Sequence, residues 1–178
     1  MDLITENTRS FDERAIANKI LQLASSKELS LTSMQLLKLV YLAHGWSMVL
    51  FDKPIVRGNP EAWQYGPVYP LIYSSVKKGG STPVVDKIKN HQTGEVFFPN
   101  DLSILQNKFL QTIINSYGNW KAFRLSSITH KVGTPWYRTY HEIGKYQEIP
   151  LDFMREHFLE LAKKRDINKE TFLKASGA

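Results

Sequence analysis

The chain has 178 residues, with 23 Lys and Arg against 17 Asp and Glu, a net charge of +6 and no cysteine. Hydrophobic residues make up 42% and aromatic residues 12%, enough for the packed core of one domain and too much for a disordered chain. Without cysteine there are no disulfides, cysteine-ligated zinc sites, iron–sulfur clusters or thiol nucleophiles, a usage that suits a cytoplasmic protein.

Residues 1–14 are polar and lack the apolar run of a secretory signal. Ser10 and Glu13 have capping-box spacing, and Ile16, Ile20, Leu23 and Ala24 behind them follow helical periodicity until Ser25 and Ser26. Thr32 and Gln35 repeat the capping signature ahead of Met34 to Leu50, and Phe51-Asp52-Lys53-Pro54 ends that stretch. In that stretch the apolar side chains surround the helix axis and leave a narrow polar seam at Gln35 and Lys38, so it is predicted to be the buried central helix. Gln35, Lys38, His44 and Ser47 interrupt it, which argues against a membrane span.

Pro54 to Val56 and Glu61 to Tyr65 read as short extended pieces around a turn at Arg57-Gly58-Asn59-Pro60. Gly66-Pro67 then leads into a helix over Val68 to Lys78, with Pro67 or Pro70 in its first turn, and Gly79-Gly80 stops it. A small hairpin turning at Thr93-Gly94 is expected between Ser81 and Pro99. Asn100 or Asp101 caps the next helix, whose stripe is Leu102, Leu105, Phe109, Ile113 and Tyr117, with Gly118 at its end. Trp120 to His130 reads as a further helix and Gly133-Thr134-Pro135-Trp136 as a rigid break. Pro150 opens a last amphipathic helix on Leu151, Met154, Phe158 and Leu161, running to about Lys164. The expected fold is therefore mainly α: one compact helical domain around a buried central helix, with a small antiparallel β element. Residues 1–13 form a polar N-terminal arm, a second possible contact for a partner, residues 14–165 the domain, and residues 166–178 a polar C-terminal tail.

A search for chemistry finds little. His141-Glu142 begins an H-E-x-x-H pattern, but Lys145 stands where the second histidine would be. His157 and Glu160 are spaced to chelate but read as a solvated helix face, and His44 reads as a hydrogen-bonded core histidine. Phosphate-cradling glycine loops and the nucleophile elbow are absent from the sequence. No enzyme activity, metal or cofactor is expected. Nucleic acid is disfavoured as a partner, because the basic residues are dispersed as Lys77-Lys78, Lys87 and Lys89, Lys121 and Arg124, and Lys163-Lys164-Arg165. The helix after Thr32 is also too apolar to read a major groove.

The most unusual text is Glu61-Ala62-Trp63-Gln64-Tyr65-Gly66-Pro67-Val68-Tyr69-Pro70. Its rings fit two arrangements, one filling the core beside the Gly66-Pro67 turn and the other lying exposed as a partner-binding patch.

Leu31 to Tyr41, followed by His44 and Trp46, resembles the opening of the Panacea domain, the SocA-like antitoxin family, which also includes the GepA-type phage-associated proteins. The resemblance continues through Ala62 to Val68, Tyr117-Gly118, Leu125, Thr129-His130 and Pro135-Trp136, in the family's order and over roughly residues 14 to 160. It implies a binding protein that neutralises a cognate toxin protein by direct contact. The family also offers two other roles: an adaptor that presents a toxin to a ClpXP-type protease, and a phage or mobile-element DNA-binding regulator. Its motif maps onto Lys38, Tyr41, Trp46, Trp63, Tyr65, Gly66, Pro67, His130 and Trp136. Glu61 and Tyr69 complete the candidate partner-binding set, from which the motif's Trp46 is left out. Lys38, on an almost wholly apolar helix, must snorkel to the surface or meet a carboxylate or carbonyl, and Glu61 is the expected partner. Tyr65 and Tyr69 are expected to be replaceable by alanine without unfolding the protein.

Overall fold

The computed structural model describes residues 8–175; residues 1–7 of the expected N-terminal arm lie outside them. The elements run α1 (Glu13–Ser25), α2 (Ser33–Phe51), β1 (Glu61–Trp63), β2 (Gly66–Val68), α3 (Pro70–Val76), α4 (Ile104–Tyr117), α5 (Ala122–Thr129), α6 (Pro135–Arg138), α7 (Leu151–Arg165) and α8 (Lys169–Ala175). The architecture is mainly α with one two-stranded antiparallel sheet.

Helix α2 is the axis of the core. Thr32 and Gln35 form the expected reciprocal capping box at its start, and Asp52 ends it in the left-handed conformation. Its buried residues come from every side of the helix, so α1, α4, α5, α7 and the hairpin all pack on it. By length and composition α2 could cross a membrane, but 83% of its most apolar window is buried inside the domain, as for a core helix. Gly45 lets α7 approach, because a Cβ there would lie 2.0 Å from the Phe158 ring. Phe158 packs edge-on against Trp46 and Tyr41, with ring centroids 5.4 and 5.9 Å apart. After α2 the chain reverses, and Ser47 Oγ accepts from the Ile55 amide while donating to the His44 carbonyl. Val56 then pairs with Phe11, which is buried, so the latter part of the N-terminal arm is packed against the domain.

Several local expectations change. Glu13 does not form a capping box with Ser10. Asp12 caps α1 by accepting from the Arg14 amide, while the Ser10 hydroxyl donates to the Pro54 carbonyl. The cap of α4 is Ser103, in a capping box with Gln106, because Asp101 sits upstream in the left-handed region. Residues Gly66–Val68 pair as β2, so α3 starts only at Pro70. Thr134 caps a short helix where a break was expected, and α6 runs on into a π-helical turn, Thr139–Ile143, closed by the Gly144 amide on the Thr139 carbonyl. Gly118 keeps right-handed φ; it is needed for space, since a Cβ would lie 2.6 Å from the Ile114 carbonyl. The expected hairpin near Thr93-Gly94 forms, bridged between Lys89 and Val96, and Asn18 on α1 ties both its arms through the backbone of Ile88 and Phe97. Beyond Arg165, Asp166 turns left-handed and α8 returns with Phe172 buried against Phe109.

Candidate functional site

The β1–β2 hairpin stands at the meeting point of α2, α5 and α6. Trp63 pairs with Gly66, which leaves Gln64 and Tyr65 as the tip. The reversal falls on Gly66, with φ of +103°. A side chain there would also collide with Lys38 Nζ and Cε at 2.8 Å and with Thr129 Oγ1 at 2.9 Å.

The backbone of this tip is held by side chains from three helices. Trp136 on α6 donates its indole N–H to the Trp63 carbonyl (2.7 Å). His130, at the end of α5, donates from Nδ1 to the Ser126 carbonyl (2.6 Å) and places Nε2 3.3 Å from the Gln64 carbonyl. Ser126 Oγ donates to the Tyr65 carbonyl (3.1 Å), and Lys38 Nζ on α2 donates to the Pro67 carbonyl (3.0 Å). Three carbonyls of this turn, those of Trp63, Tyr65 and Pro67, are thus satisfied from outside it, so the tip is fixed relative to the core rather than merely folded over it.

Lys38 therefore meets a carbonyl, and the expected Glu61 partner is a correction: the Glu61 carboxylate accepts from Trp63 Nε1 at 2.7 Å. Strand β1 points Glu61 and Trp63 to the outer face, while Lys38 lies beneath the hairpin. Lys38 is fully buried, and burial lowers its pKa from 10.5 to about 7. Tyr69 is also fully buried, so it is a core residue and not part of an exposed patch. Its hydroxyl lies 2.7 Å from His44 Nδ1, and burial lowers the His44 pKa to about 4. His44 is thus a hydrogen-bonded core histidine, with its Nε2 buried and unpaired.

The ten candidate residues divide by exposure. Lys38, Tyr41, Gly66, Pro67, Tyr69 and Trp136 are buried, Glu61, Trp63 and His130 are half-buried, and Tyr65 is 62% exposed. The buried members position the surface that the others display. Other residues complete the site. Trp63 lies edge-on between Tyr73 of α3 and Tyr146, with centroids 5.0 and 5.6 Å away. Trp136 stacks on Tyr140 of the π turn at 4.8 Å, and Lys145 lies over the Tyr140 ring at 5.5 Å. Residues 146–149 run along the free edge of β1, with Ala62 donating to the Gln147 carbonyl and Tyr146 and Ile149 donating back to the Ala62 and Pro60 carbonyls. Ser126, Tyr73 and Tyr146 were not singled out from the sequence. Their roles follow from contacts across 61 residues or more for Ser126, and from a backbone ladder that no local pattern announces for Tyr146.

Among the described residues, no group of three or more His, Asp or Glu side chains could hold a metal ion. The arrangement is an aromatic surface whose underlying turn is held by buried side chains. Residues 36–137 match the family model described as "Antitoxin SocA-like, Panacea domain". The chain is also 30% identical, over 141 residues covering 76% of it and 74% of the relative, to Antitoxin SocA of Caulobacter vibrioides (strain NA1000 / CB15N). The chain belongs to the SocA-like Panacea family. No solved structure matches it.

Proposed function

We propose that this protein is an antitoxin that neutralises a cognate protein toxin by direct, stoichiometric binding. The observation that carries this reading is the hairpin tip: its carbonyls are held by Trp136, Ser126 and Lys38, while Tyr65 projects 62% exposed. A rigid tip bearing an exposed aromatic ring loses little entropy on docking, which is what a binding hot spot requires. Similarity to a relative named Antitoxin SocA points the same way. The protein turns over no substrate in this account; it occludes or distorts the toxin.

The test is co-expression with the product of the adjacent gene. The wild-type chain rescues growth, and the toxin co-purifies with it at unchanged abundance. Protease-dependent loss of the toxin would instead identify a delivery adaptor. A neighbouring product that is harmless alone would remove the antitoxin reading.

A further inference from the structure

The outer face of the hairpin carries acid that the rest of this basic chain leaves unanswered. The bridge between Glu61 and Glu148 sets two carboxylates opposite each other on neighbouring extended segments. Beyond this bridge the pairing is irregular, with the Tyr146 amide, at a φ of 63°, donating to the Ala62 carbonyl, and the Tyr146 ring lies 5.6 Å from Trp63. Directly opposed like charges destabilise a strand pair. Nevertheless, among the described residues neither carboxylate forms an ion pair, although the chain carries a net charge of +6. Lys145, next to Tyr146 in sequence, turns its ammonium to the Tyr140 ring instead. The Glu61 Oε2 atom is occupied by the Trp63 indole N–H, and Glu148 Oε2 by the Asn59 side-chain amide at 3.3 Å. No described residue donates to the second oxygen of either group. Tyr146 is 60% and Tyr73 36% exposed, and these rings flank Trp63.

We infer that this face receives an arginine side chain of the protein partner, its guanidinium lying over the Trp63–Tyr146 rings and bonding the free oxygens of Glu61 and Glu148. The inference rests on the antitoxin reading for the identity of that partner. Its chemistry follows from charge complementarity: aromatic faces attract a cation, and a planar guanidinium offers several donors to carboxylates at once. A neutral or acidic partner segment would bury two carboxylates without compensation.

Two measurements test it. In the first, the full chain is titrated with the peptide Gly-Arg-Gly-Arg-Gly and, separately, with Gly-Glu-Gly-Glu-Gly, following the Trp63 indole N–H by NMR after assignment with Trp63→Phe. The arginine peptide moves this resonance saturably, weakly, and less as salt rises; the glutamate peptide does not. The double variant Glu61→Gln/Glu148→Gln keeps the Trp63 acceptor, folds as the wild type does, and loses at least tenfold in affinity for the arginine peptide. Equal responses to both peptides, or a response unchanged in the double variant, overturn the inference. In the second, the double variant is co-expressed with the adjacent-gene toxin and is expected to rescue growth poorly. Rescue equal to wild type would show that the toxin docks elsewhere and overturn the inference while leaving the antitoxin reading standing. Failure of the wild-type chain itself to rescue removes that reading, and the peptide titration then decides the chemistry of the face alone.

Discussion

Lys38 carries an ammonium group into the core to hold one carbonyl, that of Pro67. Burial lowers its pKa to about 7 from the 10.5 of an exposed lysine, so between those values the unfolded chain binds more protons here than the folded chain. The stability contributed by this residue therefore rises with pH from about 7 upward, and below pH 7 the whole desolvation cost remains. Denaturant titrations of wild type and Lys38→Met should diverge accordingly. Relative to the variant, the wild type gains on the order of 2 kcal/mol between pH 7 and 9.5. Parallel pH profiles would place the ammonium in a solvated position. The two candidate tyrosines on either side of Gly66-Pro67 separate in the same way. Tyr69→Ala empties a fully buried site bonded to His44 and costs about 3 kcal/mol or more, measured as a lower unfolding midpoint. Tyr65→Ala, at an exposed site, stays within about 0.5 kcal/mol of wild type. From sequence alone the two were indistinguishable, since both flank the same Gly-Pro pair; register decides which ring faces the core.

Among the elements, the crossing of α2 and α7 depends on the missing Cβ of Gly45. Gly45→Ala gains about 1 kcal/mol in helix propensity, but its methyl group would occupy the Phe158 ring position, and overpacking of this kind costs more than it returns. The variant is expected to be less stable by about 2 kcal/mol, read by thermal or chemical unfolding. A variant of raised stability would mean that α7 can shift outward freely. The helices themselves are legible from periodicity and caps: the Thr32–Gln35 box, the Pro150 start and the stripe of Leu105, Phe109, Ile113 and Tyr117 are present, whereas Leu102, expected to open that stripe, lies ahead of the Ser103 cap. The misread boundaries have a common cause. Ser10, Asn100 and Asp101 are all competent caps, and tertiary contacts choose between them and their neighbours Asp12 and Ser103. The π turn after Arg138 has no sequence signature of this kind, yet it positions Tyr140 against Trp136.

At the scale of the whole molecule, the motif segments of the family converge on one place. Lys38 from α2, Ala62 to Val68 from the hairpin, His130 from α5 and Trp136 from α6 are dispersed over almost a hundred residues of chain and meet around one tight turn. Their convergence was legible only through the family resemblance, because no periodicity links residues in separate elements. The exposed part of the site was less legible. Tyr73, Tyr146 and Glu148 enter it through packing and through the return of residues 146–149 along β1. The division of labour that results, with buried residues fixing the turn and exposed residues displayed by it, is what the proposed antitoxin role requires. The most direct test of that claim is growth rescue by wild type and Tyr65→Ala when each is co-expressed with the adjacent-gene toxin at matched, folded levels. The account predicts full rescue by the wild type and clear loss by Tyr65→Ala, with at least tenfold weaker binding of the purified proteins; equal rescue and equal affinity would contradict it.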